Sequence, residues 1–249
     1  MESVNRITSI LEALKQFPDG IGVIQLSDIV QLPPSSLHRR LKSLQEHELV
    51  WQSPITRKYF LGLGLLDLCA PLIDHIAPNL RERVRPQMAY LSEQTHATVF
   101  LALLAQDKVI SADSFIPSED PKLQISVFYG QSMPVHCAAS AKAILAYLDS
   151  DVQERLINRC NFTPFTGSTI RSPDLLLHNL ADVRTRGFAL CDEEAEKGVT
   201  AVAAPALDDH GHAFASIGLC TASNKLRGSK LQKIITQLQD ITSTLGTAG

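Results

Sequence analysis

The stretch LPPSSLHRRLKSLQEHELV, residues 32–50, limits the fold more than any other part of the chain. The leucines that recur in it at nearly helical spacing are Leu37, Leu41, Leu44 and Leu49. This spacing predicts a helix with one buried stripe. The polar residues that fall opposite the stripe, at about 100° per residue, are Ser35, Arg39, Lys42, Ser43 and Glu46. Arg40 falls on the flank of the stripe, so one face of the helix packs and the other is mostly basic.

Charge is unevenly distributed along the chain. The net charge at pH 7 is −3. Between Ser35 and Phe60 there are five basic and two acidic side chains, so this segment has a net charge of +3 and the remaining residues have −6. An acidic protein does not coat nucleic acid indiscriminately. A basic patch on an acidic body instead suits docking of one surface onto a polyanion.

The elements around this stretch predict a winged helix-turn-helix. Apolar residues at 4–17 follow a helical pattern that Pro-Asp-Gly at 18–20 ends. A short helix is expected at 26–30. A third helix is expected to begin at Pro33-Pro34, where a proline costs little, and to run to about His47. VWQSPITRKYFLG then predicts two short β segments joined by a turn.

The whole chain predicts two domains joined by a linker. We assign residues 1–62 to the winged helix-turn-helix, the proline-interrupted helical pattern at 63–95 to a linker helix, and 96–249 to a second domain. Strand-like segments of that domain are TVFLALLA, KVISADSF, KLQISVF, FALC, VTAVAAPAL and AFASIGLCT. Its helical segments are SAKAILAYL, LLLHNLADVRTRG and residues 231–245. This mixture indicates an α+β domain around an antiparallel sheet.

Composition argues against several classes of protein. No run approaches the roughly 20 apolar residues of a membrane span, and MESVNRITSILEAL lacks the regions of a signal peptide, so a cytoplasmic protein is expected. The five cysteines are odd in number and scattered, which fits neither a disulfide framework nor a zinc motif. The potential metal ligands with no standard spacing are His136, Cys137, Cys191, His210, His212 and Cys220. We expect reduced thiols, no metal and no cofactor.

Five ordered motifs resemble those of the IclR family of bacterial transcriptional regulators. VNRITSILEAL is similar to its opening helix, LPPSSLHRRLKSLQEHELV to its L-P-x-S-T-x-H-R-L-L-x-T-L recognition segment, and RKYFLGLGLLDL to its wing and linker entry. MPVHCAASAKAILAYL resembles the P-x-H-x-x-A-S-G-K-A-x-L-A signature. TRGFALCDEEAEKGVTAVAAP resembles the R-R-G-Y-x-x-D-D-E-E segment and the A-A-P that follows it. The resemblance implies a DNA-binding domain that dimerises, a linker helix and a GAF-like domain that binds a small metabolite.

Three positions depart from the family pattern. Pro34 stands where lysine is frequent, which removes one phosphate contact. Arg40 replaces a leucine and adds a charge beside the buried stripe. Ala141 replaces the glycine of S-G-K, which excludes backbone conformations that only glycine tolerates.

Two basic segments are expected to bind double-stranded operator DNA with palindromic sequence. The residues assigned to this surface are Ser35, Ser36, His38, Arg39, Arg40, Lys42, Ser43, Arg57 and Lys58. Serines at a helix start suit a phosphate, while Arg39 and Lys42 can reach base edges or backbone in the major groove. Arg57 and Lys58, on the returning arm of the hairpin, suit phosphates or the minor groove. The alternative is a solvated helix face with serine caps.

The second domain also contains residue types that enzymes use. His136, Ser140 and Lys142 lie close together in sequence, and Cys191 precedes three acidic residues. Sequence proximity establishes neither a nucleophile–base pair nor an oxyanion site. We therefore expect no enzyme, with Ser140 as a helix cap and Lys142 in solvent. The alternative functions are a small-molecule enzyme or a metabolite-binding module with an accessory helical domain, and the basic cluster argues against both.

The resemblance also implies where an effector binds. Carried over by position, the effector-binding residues are Ala139, Ser140, Cys191, Ala201, Gly218 and Cys220. The small residues at 138–141 let a carboxylate approach the amide groups of a helix start. Polar side chains occur in the family at several of these positions, so we expect a ligand bulkier or more apolar than a two-carbon oxo-acid. The alternative is that these residues simply pack a strand core. The family further implies a homodimer or a dimer of dimers, and most often repression.

Overall fold

The computed structural model describes residues 2–65, 68, 80–117 and 130–246. The chain forms two compact units, Met1–Pro78 and Asn79–Gly249. Part of the linker helix expected at 63–95, and the strand expected at KLQISVF, lie outside the described residues. Within the described part, no helix is both long and apolar enough to span a bilayer.

The N-terminal unit is a winged helix-turn-helix, as the sequence predicted. It contains the helices α1 (Glu2–Lys15), α2 (Val23–Val30) and α3 (Pro34–Glu46). Its strands are β1 (Val50–Gln52) and β2 (Tyr59–Leu61), which pair antiparallel. Gln31 ends α2 in the left-handed region with φ of 49°, and Pro34 occupies the first turn of α3, where its missing N–H leaves no partner unsatisfied.

The core of this unit is built on the predicted leucine stripe. Leu37, Leu41 and Leu44 of α3 are buried, and they pack with Ile10 and Leu26 of the two preceding helices. Burying aliphatic side chains of this size stabilises the fold by about 1.5–3 kcal/mol each. The stripe therefore fixes which face of α3 points outward.

The second unit is α+β, as predicted, and its described residues form a five-stranded antiparallel sheet. The strands are β3 (Thr98–Ala105), β4 (Lys108–Phe115), β5 (Ala189–Asp192), β6 (Val199–Leu207) and β7 (Ala213–Ala222), in the spatial order β4-β3-β7-β6-β5. The helices are α4 (Leu80–Thr95), α5 (Ala139–Leu145), α6 (Ser150–Asn158), α7 (Pro173–Arg186) and α8 (Gly228–Ser243). A single 3₁₀ turn, Ser223–Lys225, precedes α8.

Helices cover both faces of the sheet. Consecutive residues of β3 and β7 are buried, which requires cover on each side. The helix α5 contacts β3, β5, β6 and β7, whereas α4 contacts β3 and β4, and α8 contacts β6 and β7. The helix α7 ends as predicted at Gly187, which adopts φ of 75° and donates its N–H to Val183 O.

Candidate DNA interface and effector site

The basic side chains assigned to DNA lie on the solvent face of α3. The exposed residues among those predicted are Ser35, His38, Arg39, Lys42 and Ser43, and the half-buried ones are Ser36 and Arg40. Pro33 is the N-cap of α3 and no side chain caps the helix, so the serines lie in its first turn and do not cap it. Arg40 lies beside the leucine stripe as predicted. Its Nε is buried and has no hydrogen-bond partner among the described residues.

The wing places two further cations near the same unit's surface. The turn between β1 and β2 is closed by hydrogen bonds from Ser53 N–H to Lys58 O and from Arg57 N–H to Ser53 O, both 2.9 Å. Arg57 adopts φ of 58°. The prediction that Arg57 and Lys58 lie on the returning arm is therefore slightly wrong: they end the turn, and β2 begins at Tyr59. Both side chains are exposed.

A row of small side chains crosses the sheet of the second unit. Cys191 of β5 pairs with Ala201 of β6, which pairs with Cys220 of β7, which pairs with Thr98 of β3. All four are buried. The register thus brings together three of the residues carried over for the effector, although they are up to 29 positions apart in the sequence.

Ser140 and Gly218 lie against this row. Ser140 of α5 is fully buried, and its hydroxyl has no hydrogen-bond partner among the described residues. The N-cap of α5 is Ala138, so the prediction that Ser140 caps the helix is wrong. A Cβ placed on Gly218 would lie 2.8 Å from Ser140 Oγ and 2.7 Å from two ring atoms of Phe100. Ala139 is buried in the same cluster.

Phe100 was not among the residues predicted for this site. It pairs with Gly218 across β3 and β7, and its ring lies over the glycine. The space above Gly218 is therefore occupied by an aromatic ring rather than open. A glycine paired with an aromatic residue on the neighbouring strand could have pointed to Phe100. Recognising such a pair requires the register of the two strands, which the sequence does not show.

Lys142 is buried, not solvated as the sequence analysis expected. Its Nζ lies 2.6 and 2.7 Å from the two carboxylate oxygens of Glu194, and it also donates to Leu190 O at 2.8 Å. Burial raises the pKa of Glu194, and the charge of Lys142 opposes that rise. The ammonium group is fully engaged, so it serves no nucleophile.

The cysteine thiols of the described part are free. Burial raises the pKa of Cys137 and of Cys220 to about 12, with the neighbouring Cys191 adding to both shifts. Burial also raises the pKa of Cys191 itself. In the described ranges, no three histidine, cysteine or acidic side chains come together as a metal site. These three thiols act as small apolar groups at neutral pH.

One contact was not predicted, although both of its residues were visible in the sequence. His136 Nδ1 lies 3.2 Å from Cys160 Sγ, and His136 Nε2 lies 2.9 Å from Thr163 O. In the sequence, His136 is followed closely by Ser140 and Lys142. The loop after α6 instead brings Cys160, 24 positions away, to the imidazole.

A winged helix-turn-helix with a basic outer face, followed by an α+β unit, defines the class of DNA-binding transcriptional regulators. Residues 3–54 match the model of the IclR helix-turn-helix domain, and residues 76–246 match that of the bacterial transcriptional regulator IclR C-terminal region. The chain belongs to the IclR family.

Curated relatives match this chain over most of their length. The HTH-type transcriptional regulator XynR of Escherichia coli is 28% identical over 100% of this chain and 97% of its own. The DNA-binding transcriptional repressor YiaJ of the same organism is 28% identical over 98% and 88%. The crystal structure of an IclR homolog from Microbacterium hydrocarbonoxydans, complexed with 4-hydroxybenzoate, superposes with a TM-score of 0.76 over 97% of this chain and 98% of that one, at 16% identity. The relatives are named as regulators, which confirms the prediction of a regulator rather than an enzyme.

Proposed function

We propose that this regulator is a repressor whose operator affinity responds to a small organic acid. Residues 1–62 would bind DNA, 63–95 would form the linker and 96–249 would bind the effector, in the cytoplasm where operator DNA lies. A homodimer, or a dimer of dimers, would place one α3 in each half-site of a palindrome. Effector binding would change the relative placement of the two DNA-binding domains, a coupling of about 1–3 kcal/mol. Repression is the activity named for the relative YiaJ.

Exposed cations on α3 and the wing support the DNA-binding part of the proposal. Arg39 and Lys42 are exposed on α3 while its leucines are buried, so the helix can enter a groove without loss of its core. Arginine suits the paired acceptors of guanine in the major groove. Arg57 and Lys58 are exposed at the end of the wing turn, where they would meet phosphates.

The buried hydroxyl of Ser140 is the observation that carries the effector part of the proposal. Buried polar groups nearly always have a hydrogen-bond partner, and an unpaired one costs about 1–3 kcal/mol. A carboxylate at the start of α5 would accept from Ser140 Oγ and from the first amide groups of the helix, which lack intrahelical acceptors. The side chains of Cys191, Ala201 and Cys220, buried in the same cluster as Ala139, would give the ligand apolar surroundings.

These apolar walls favour an organic acid larger than a two-carbon oxo-acid. The carboxylate would lie at Ala139 and Ser140, and the body of the ligand would lie along the row formed by Cys191, Ala201 and Cys220. The homolog from M. hydrocarbonoxydans was solved with 4-hydroxybenzoate, an acid with an apolar ring. Aromatic and branched aliphatic carboxylates are therefore the first compounds to test.

A thermal-shift screen of such acids on wild type and two serine variants tests the proposal. In Ser140→Ala the unpaired hydroxyl is removed, so the free protein should be as stable as wild type or more so, while the shift produced by the effector should be largely lost. Ser111→Ala is the matched control, because Ser111 on β4 is also fully buried and its hydroxyl also lacks a partner among the described residues. Its ligand shift should equal that of wild type.

The stabilising acid would then be added to the protein bound to operator DNA. Wild type should release DNA as the acid is added, and Ser140→Ala should remain bound. An acid that shifts Ser140→Ala as strongly as wild type would remove Ser140 from the site. An acid that binds without any change in operator affinity would refute the effector-responsive function.

A further inference from the structure

A surface cleft of about 360 Å³ lies in the second unit, apart from the residues assigned to the effector. Its walls include the apolar side chains of Met133, Leu156, Phe162 and Phe165. Cys160 and His136 also line it, the charged side chains of Asp107, Lys108 and Arg159 lie at it too, and none of the six residues assigned to the effector does. The cleft is large enough for a molecule of roughly benzene to naphthalene size, and its walls suit a flat, weakly polar one.

The hydrogen bonds of His136 determine which of its ring nitrogens can accept the proton of the Cys160 thiol. Thr163 O can only accept, so Nε2 of His136, 2.9 Å away, carries the proton. In the neutral ring Nδ1 is then the acceptor, and it lies 3.2 Å from Cys160 Sγ. The ring of Phe165 stacks on the imidazole at 5.7 Å between centroids and limits its rotation. Cys160 thus supplies a nucleophile, His136 supplies a base, and Thr163 O orients that base.

The sulfur of Cys160 also has a stabilising donor. Phe162 N–H lies 3.4 Å from Sγ, and Phe162 adopts φ of 46°, a conformation that few residues with a side chain take up. Burial raises the pKa of the Cys160 thiol, and this N–H opposes the rise. The resting thiol is therefore protonated at neutral pH, and its reaction depends on transfer of the proton to a base.

We propose that Cys160 is a site of covalent modification by planar α,β-unsaturated carbonyl compounds such as quinones, with His136 as the base. As Sγ bonds to the β-carbon, the thiol proton passes to Nδ1 of His136 and the electron pair of the C=C bond moves toward the carbonyl oxygen. The imidazolium then returns the proton to the α-carbon, and a quinone adduct tautomerises from this ketone to the hydroquinone thioether. The product is a thioether, the imidazole is regenerated, and no other reactant is consumed. Half-exposed Cys160 is open to such a molecule, whereas Cys137, Cys191 and Cys220 are buried.

The test measures the rate at which p-benzoquinone adds to the full-length protein, followed by mass spectrometry of peptides. An adduct should form at Cys160, faster in the folded protein than at the same cysteine in urea. His136→Gln should lower the rate at least ten-fold, because the amide can still donate to Thr163 O but is not a base. Unfolding would also lower the rate, to the value measured in urea, so circular dichroism of His136→Gln must first show that the variant is folded. Cys160→Ser should form no adduct at this peptide.

The class of electrophile is tested with acrylamide, which is small and does not fill the cleft. The ratio of quinone to acrylamide rates at Cys160 should be larger in the folded protein than in urea. Equal ratios would refute recognition of a planar compound by the cleft. An unchanged or higher quinone rate in His136→Gln, or faster reaction in urea than in the folded wild type, would refute the activation of Cys160.

Discussion

Lys142 and Glu194 form a buried ion pair that ties α5 to the segment after β5. The Nζ of Lys142 lies 2.6 Å from Glu194 Oε1, and the lysine side chain is fully enclosed while that of the glutamate is 12% exposed. Leu190 O accepts a further hydrogen bond from the same ammonium group. Since α5 also carries Ser140, this ion pair holds one wall of the proposed effector site in place.

Removing one member of this pair should destabilise the second unit strongly. Glu194→Ala leaves a buried ammonium with one carbonyl partner, and we expect a loss of about 3–5 kcal/mol in the free energy of unfolding. The double variant Lys142→Met/Glu194→Leu should recover most of that loss, because no charge remains buried. Urea denaturation followed by circular dichroism measures both. Glu196→Ala, at an exposed site, should change stability by less than about 0.5 kcal/mol. Equal stability of Glu194→Ala and Glu196→Ala would contradict the burial of the pair.

Alkaline pH should destabilise the protein partly through Cys220. Its thiol has a pKa of about 12 in the folded state, against an ordinary value of 9.0. Between these values the unfolded chain loses the proton and the folded chain keeps it, so stability falls as pH rises above about 9. The slope for one such thiol reaches about 1.4 kcal/mol per pH unit.

Cys220→Ala tests this contribution by removing the thiol. Denaturation at pH 8.5 and pH 10, with reductant present, should show a shallower fall in stability for the variant than for wild type. Cys220→Ala also loses stability at every pH, because its side chain is smaller. Comparing the slopes of stability against pH, rather than the stabilities themselves, separates this constant loss from the effect of ionisation. Parallel slopes would show that the thiol ionises as readily in the folded state as in the unfolded chain.

Enlarging Gly218 should overpack the sheet beneath α5. A Cβ there would lie 2.7 Å from the Phe100 ring and 2.8 Å from Ser140 Oγ, so Gly218→Ala should cost about 1–3 kcal/mol of stability. Phe100→Leu combined with Gly218→Ala should cost less than the sum of the two single changes, since the shorter side chain makes room. Gly167→Ala is the control, as its added Cβ meets no atom within 4 Å. Urea denaturation measures the stability of the two single variants and of the double variant. If the losses of stability were additive, the two side chains would not compete for this space.

Local periodicity predicted the parts of the fold that depend on neighbouring residues. The leucine spacing predicted the buried face of α3, and Gly187 predicted the end of α7. Both features are decided within one or two helical turns, so neighbouring residues are enough to predict them. Lys142 was misplaced because a lysine is buried only when paired, and its partner lies 52 positions downstream.

The candidate sites depend on register and loop path, which periodicity does not encode. Phe100 meets Gly218 only because β3 pairs with β7 at one register out of several. The approach of Cys160 to His136 depends on the loop between α6 and α7. The family resemblance supplied the candidate effector-binding residues by position, but not the ring of Phe100 that covers one of them, Gly218.

The two basic surfaces of the first unit should contribute differently to DNA binding. An operator is first selected from random-sequence duplexes with wild-type protein. Arg39→Ala should then weaken binding to that operator by about 1–3 kcal/mol and relax its sequence preference, because we propose that Arg39, exposed on α3, reads base edges.

Lys58→Ala should weaken binding to operator and random DNA equally and lower the salt slope by about 1, because we propose that Lys58, at the wing, contacts phosphate. Gel-shift titrations at several salt concentrations measure these effects, with Lys233→Ala, exposed on α8, as the unchanged control. Wild-type affinity of both variants for operator DNA would show that α3 and the wing turn do not form the DNA interface.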